Sequence, residues 1–138
     1  MEVERRTDPP VSQLLQRNSF SVSANDPIDK VAADLEKHRL FVAPVTNGDG
    51  SMFGVISSFA ISHVLAARKN PRSIRAWELC AYKPVTVAPH ARASSVAKLM
   101  VTLGVQYVVV KDGAEPLGIV SSLDFVEYYM RSRRSYGA

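Results

Sequence analysis

The sequence predicts an α+β fold in which one β-α-β-β-α unit is used twice, the two copies packed pseudo-symmetrically, sheet to sheet. Three observations carry this. The chain matches itself when slid along by 65 positions, each copy passes through the same order of extended piece, helical stripe and β-rich runs, and the composition is that of a globular protein. Under the shift, Leu14 meets Leu79, Val22 meets Val87, Val31-Ala32 meets Val96-Ala97, and Val45 meets Val110. Gly48 likewise meets Gly113. Past the turn the shift becomes 64, because the first copy carries one extra residue in NGDGSM. Gly54 then meets Gly118, Ser57-Ser58 meets Ser121-Ser122, and Phe59 meets Leu123. Matches kept in order and broken by a single turn insertion are hard to obtain by chance.

Each copy reads in the same order. A short extended piece comes first, Phe20 to Val22 or Val85 to Val87. An amphipathic helix follows. In the first copy Asp26 is expected as N-cap with Pro27 at the first helical position, and Ile28, Val31, Ala32 and Leu35 share one face. In the second copy Val96, Ala97, Met100 and Leu103 make the stripe. A β-rich run comes next, Phe41 to Val45 or Gln106 to Val110. The turns NGDG and KDGAE supply positive φ at little cost. A second strand, Met52 to Ser57 or Leu117 to Ser121, closes a hairpin, and a last helix spans about 59–68 or 123–132. This divides the chain into an N-terminal arm (1–9), a first repeat (10–69), a linker (70–75), a second repeat (76–132) and a basic tail (133–138). One unit's apolar face is too large to bury alone, so two copies would share a core and leave clefts between them.

Composition narrows the function. Apolar residues make up 46% and charged residues 22%, which argues against wholesale disorder. No apolar run approaches the roughly 20 residues of a membrane helix, and the charged, proline-containing start is not a signal peptide. Cytoplasmic residence is the expectation. The single cysteine, Cys80, fits a reducing compartment and reads as a small buried apolar residue. His38, His63 and His90 stand apart without metal-site spacing. There is no Walker-type loop and no plausible Ser/His/Asp set, so no catalytic residue, metal or required cofactor is expected. The net charge of +4 sits largely at Arg68, Lys69, Arg72 and Arg75 and in the tail. Aromatic interleaving there is sparse, so nucleic acid is not expected as the primary partner.

The repeat resembles the tandem cystathionine-β-synthase (CBS) domain pair, often called a Bateman module. The residues that carry the resemblance are Phe41-Val42-Ala43-Pro44-Val45 followed by the glycine turn. To these is added the Gly-x-x-Ser-x-x-Asp run from Gly118 through Ser121 and Ser122 to Asp124. It spans about residues 10–132, and its weight lies in two copies at the right internal distances rather than in either motif. The resemblance implies a regulatory module that binds AMP, ADP, ATP or an S-adenosylmethionine-type ligand in clefts between the repeats. It implies that Asp124 takes the ribose hydroxyls and that Ser121 lies near the phosphate. The residue chemistry is compatible. An ionised carboxylate accepts from both hydroxyls of a vicinal diol, and Ser121 and Ser122 open a helix whose free N–H groups suit an anion. Capping by the same residues is the competing structural role. The adenine wall implied by the resemblance is Ser21, Val22, Leu40, Phe41 and Ala43, with Phe41 able to stack on a purine.

The first copy departs from the pattern, with Ala60 where the acid should stand. Its cleft, lined by Ser57, Ala60, Thr86, Val105, Gln106 and Val108, is expected to be degenerate. The leading expectation is thus a module with one competent adenosine site that modulates an unidentified client protein in trans. The alternative is a ligand-free dimerisation or protein-interaction domain. A homodimer is expected through the apolar faces of the terminal helices, Ile61, Val64 and Leu65 with Phe125, Val126 and Tyr129.

Overall fold

Ile28, Val31 and Leu35 recur along one helical face, and the chain over them is helical, with all three side chains buried. The structure, a computed structural model, describes residues 8–15 and 20–133. The arm up to Thr7 and the tail from Arg134 lie outside the described residues. The chain forms two compact units, each α+β.

The unit holding residues 20–84 contains β1 (Val22–Ser23), α1 (Ile28–His38), β2 (Val42–Thr46), β3 (Met52–Ser57), α2 (Ser58–Ala66) and α3 (Ala76–Leu79). Its sheet runs β1-β2-β3, with β1 parallel to β2 and β2 antiparallel to β3. Alternation puts Ala43, Val45 and Ile56 on one face, where they pack with Val22, Ile28, Val31, Leu35, Val64 and Ala76. Fully burying each Val, Leu or Ile side chain of this cluster contributes about 1.5–3 kcal/mol. Gly54 lies on the same face, beside Val45. A Cβ there would stand 2.6 Å from the Ala81 carbonyl oxygen and 2.9 Å from Cys80 Sγ, so the backbone of 80–81 can cross only because residue 54 is glycine. Ala81 then pairs with Val55 through two backbone bonds of 2.7 and 3.0 Å, extending the sheet edge.

The other unit contains a 3-10 turn (Val11–Leu14), β4 (Thr86–Val87), α4 (Ala93–Leu103), β5 (Tyr107–Asp112), β6 (Glu115–Ser121) and α5 (Ser122–Ser132). The pairing repeats: β4 parallel to β5, β5 antiparallel to β6. Val108, Val110 and Val120 pack with Val96, Met100, Val11 and Leu14. Here it is Leu15 that crosses the motif glycine, its Cδ2 3.0 Å from the place of a Cβ on Gly118. The compact units are therefore not the sequence copies. Residues 8–15, at the head of the first copy, complete the core of the second, and residues 76–81, at the head of the second, complete the core and sheet edge of the first.

Several local expectations change. Pro27, not Asp26, occupies the N-cap of α1. Asp26 is drawn instead to the Ser23 backbone N–H, at 3.1 Å, and to Lys30, at 3.5 Å, so its carboxylate closes the turn before the helix. Leu103 does not join the core face. It is the last residue of α4 and is 51% exposed, whereas Ala93, one turn before Val96, is buried. The segment read as linker is ordered: Pro71–Ser73 form a 3-10 turn and the Ile74 carbonyl accepts from Ile28 N–H at 2.9 Å. α1 and α4 close identically, with a left-handed residue after which a backbone N–H reaches back at 2.9 Å (Leu40 to Leu35) or 3.0 Å (Val105 to Met100). That left-handed residue is Gly104 in the second copy and Arg39 in the first. Arg39 holds a conformation that costs a non-glycine residue about 1–2 kcal/mol.

Candidate functional site

β6 ends at Ser121, whose extended backbone (φ −115°, ψ 169°) turns the chain into α5. Three residues on, Asp124 completes the first turn and points back to that corner. Its Oδ2 accepts from the Ser121 backbone N–H at 2.6 Å and from the Ser121 hydroxyl at 3.0 Å, the reciprocal pairing of a capping box. Ser121 is fully buried and Asp124 is 6% exposed. A buried carboxylate is costly unless it is hydrogen-bonded, and Ser121 both satisfies and orients it. Ser121 sits opposite Tyr107 in the β5–β6 ladder, on the face away from the helices, and burial pushes the Tyr107 hydroxyl up from its ordinary value.

The first copy makes the same corner without the acid. Ser57 has φ −120° and ψ 162°, and α2 begins directly after it. In both copies the first helical N–H is tied to the residue before the hairpin: Ser58 donates to the Phe41 carbonyl at 2.7 Å, and Ser122 to the Gln106 carbonyl at 2.9 Å. Ala60 offers only a half-buried methyl group. Chemically, one corner presents an oriented carboxylate able to accept from donors such as a diol, and the other does not.

Within its unit the structure brings Ser121 and Asp124 together and sets Ser122 apart. Ser122 is exposed and lines a pocket of about 480 Å³ between α4 and α5, with Met100, Gly104, Val105, Gln106 and Phe125. Thr86 is exposed on β4, and Val108 is a fully buried core side chain. In the other unit Ser21 is exposed, Leu40 and Phe41 are half-buried, and Val22 and Ala43 are fully buried in the core. Val22, Ala43 and Val108 can therefore face a ligand only through their main chain. The pocket had one signal in the sequence: Gly104 stands where the first copy has Arg39, so a side chain is missing from the helix end.

Cys80 is buried, its Sγ 3.7 Å from the Trp77 carbonyl, and burial pushes its thiol up, away from a reactive thiolate. Among the described residues no group of three or more His, Cys, Asp or Glu could hold a metal ion. No described helix is long and apolar enough to cross a membrane.

Comparison with known proteins places this geometry. No curated protein matches the chain by sequence. A CBS domain protein from Pyrobaculum aerophilum complexed with AMP superposes with a TM-score of 0.74 at 26% identity, over 83% of this chain and 88% of that one. The CBS domain pair of protein MJ0100, in complex with 5′-methylthioadenosine and S-adenosyl-L-methionine, gives 0.74 at 25% identity, over 87% and 98%. A CBS-domain containing protein from Agrobacterium tumefaciens shares the fold at a TM-score of 0.78 and 19% identity, over 88% and 93%. The CBS domain model matches twice, at residues 11–67 and 76–131, taking in both hairpins and both serine corners. The chain thus belongs to the CBS domain family, as a tandem pair.

Proposed function

We propose that this CBS pair is a non-catalytic regulatory module that binds one adenosine nucleotide or related adenosyl ligand and modulates a partner protein in trans. The observation that carries the reading is the buried Ser121–Asp124 pair, present at one corner and replaced by Ser57 and Ala60 at the other. The relatives complexed with AMP and with 5′-methylthioadenosine and S-adenosylmethionine support an adenosyl ligand. In this reading Asp124 takes the ribose hydroxyls in the inter-repeat cleft, Ser121 lies near the phosphate, and Ser21, Val22, Leu40, Phe41 and Ala43 form the adenine wall; Ser122, expected beside the phosphate, lines the α4–α5 pocket instead. The cleft of Ser57, Ala60, Thr86, Val105, Gln106 and Val108 is the degenerate one. The single buried cysteine suits a cytoplasmic setting.

A second reading, a dimerisation or interaction domain without ligand, is favoured by the apolar side chains left on α2 and α5. Leu65 is 63% exposed, Val126 and Tyr129 55% each, and Phe59, not expected on this face, 70%; Val64, expected there, is instead a buried core residue, and Ile61 and Phe125 are partly buried against the cores. Homodimerisation through these faces is compatible with both readings. Thermal-shift and calorimetric titrations with AMP, ADP, ATP and S-adenosylmethionine decide between them. At least one should raise the melting temperature and bind at about one tight site per chain. No response to any of the four would overturn the ligand reading and leave the interaction domain.

A further inference from the structure

Helix α4 has no acceptor side chain at its own N-cap, which is Arg92. The missing acceptor arrives from the other end of the chain. Asp8 Oδ1 accepts from the Ser94 backbone N–H at 2.9 Å, and Asp8 Oδ2 from the Ser94 hydroxyl at 2.5 Å. Arg92 answers by donating from its guanidinium to the Asp8 carbonyl at 3.0 Å. Beyond this clasp the chain lies flat against the unit: Ala93 N–H donates to Pro9 at 2.8 Å, Val11 N–H to Ala91 at 2.7 Å and Ser12 N–H to Pro89 at 3.1 Å. Val11 and Leu14 are then buried in the core, against α4 and α5, and Leu15 crosses Gly118 three residues before Ser121. Residues 8–15 are a strap laid over the strand and helix that meet at the Ser121–Asp124 corner.

We propose that Asp8 is the clasp of this strap, and that closure of the strap and order at the Ser121–Asp124 corner rise and fall together. The physical basis is shared packing. With the strap open, β6 and α5 lose Val11, Leu14 and Leu15 as neighbours, and the corner that holds the carboxylate is left less constrained. Coupling of this kind is reciprocal, so a ligand held at the corner tightens the strap as much as the strap favours the ligand. That last step rests on the adenosyl-ligand reading; the clasp itself does not. The strap is the natural place for a signal to enter or leave the site, because an event acting on Asp8, Arg92 or Ser94 reaches the corner without touching it.

The test is residue-resolved hydrogen exchange on the full chain, comparing the unmodified protein with Asp8→Ala and Asp8→Asn. Asp8→Ala should speed exchange at Val11 and Ser12 about 3- to 10-fold, the scale of a lost N-cap, and speed Ser121 with them. The central-strand amide of Val109 should speed by no more than the loss of global stability measured in denaturant unfolding. Asp8→Asn keeps one acceptor oxygen and should recover part of the protection. Unchanged Val11 exchange overturns the clasp, and a loosened strap with an unchanged Ser121 overturns the coupling. With AMP added, strap amides of the unmodified protein should gain protection and Asp8→Ala should bind AMP several-fold more weakly. Equal affinity in both proteins overturns the coupling while the site stands. If the unmodified protein shows no AMP binding, the ligand reading fails, and the ligand-free exchange still decides the clasp.

Discussion

The Ser121 backbone N–H and hydroxyl converge on a single oxygen of Asp124, at 2.6 and 3.0 Å, inside a corner that excludes solvent. Asp124 therefore has a structural duty whether or not it also meets a ribose, and the two duties separate in one mutant. Asp124→Ala leaves a buried N–H without its acceptor and should cost the ligand-free protein about 1–3 kcal/mol in denaturant unfolding. Loss of the diol contacts should weaken nucleotide binding a further 10- to 100-fold, about 1.4–2.8 kcal/mol. Asp124→Asn keeps one carbonyl acceptor and should fall between. A destabilised protein with unaltered nucleotide affinity would sink the ribose assignment.

The Ser57 corner shares the backbone of the Ser121 corner but has Ala60 in place of the acid. Calorimetry should accordingly find about one tight nucleotide per chain, and two equal sites would contradict the proposed asymmetry. Ala60→Asp should build the same capping box on Ser57. Ala60 is only half-buried, packed at the margin of the core, so stability should change by no more than about 1 kcal/mol, the worth of a cap. A second, weaker nucleotide site is the expected gain.

Gly54→Ala should be among the more damaging single-methyl changes in the chain. The new Cβ would meet the Ala81 carbonyl at 2.6 Å, and backbone cannot swing aside as a side-chain tip can. A loss of about 1–3 kcal/mol is expected. Gly48→Ala, with nothing within 4 Å, is the control and should stay within about 0.5 kcal/mol. Equal effects at the two glycines would mean that the crossing of residues 80–81 is looser than described.

Val126 is exposed on α5, so a charge there should not affect folding. If α5 forms a dimer face, Val126→Glu should turn a dimer into a monomer in sedimentation at tens of micromolar while leaving the melting curve of the monomer intact. An unmodified protein that already sediments as a monomer removes the interface.

The clasp carries a pH signature. Hydrogen bonds from the Ser94 hydroxyl and backbone, with a smaller contribution from the Arg92 charge, hold the Asp8 carboxyl below the usual carboxylate range. A depressed folded value means that the clasp stabilises fully above the unfolded value, about 3.9, and is lost as pH falls through the folded one. The Ser94 amide resonance should therefore be flat from neutral pH down to about 4 and move only below it. A midpoint at or above the ordinary carboxylate value would show that the clasp is open in solution.

Much of this was legible from residues alone, and the reason is periodicity. Ile28, Val31 and Leu35 had one face to bury, and the β-rich run from Phe41 to Val45 is followed by a glycine turn, so element order and the hairpins could be read directly. The serine corner was legible for a different reason, since Ser121 and Asp124 are three apart and local geometry alone joins them. What escaped was set by partners remote in sequence. Nothing near Arg92 announces that Asp8 caps its helix, and nothing near Gly54 or Gly118 names Cys80 or Leu15 as the chain that crosses it. Asp26 stands one residue before the N-cap because its carboxylate meets the Ser23 N–H and Lys30 rather than the helix start. Leu103 fitted the helical stripe, but the helix ends on it.

The exchange of leading segments has a consequence for how the protein is made on the ribosome. The unit of residues 20–84 is contiguous and can close as soon as it has emerged. The segment with Val11 and Leu14 emerges earliest and buries them against strands that end at Ser121, roughly a hundred residues later. At about 5–20 residues per second, those two apolar side chains wait some 5–20 seconds for their neighbours. The prolines and charges around them, Asp8-Pro9-Pro10 on one side and Gln16-Arg17-Asn18 on the other, keep the waiting stretch short and poorly suited to strand pairing with other nascent chains.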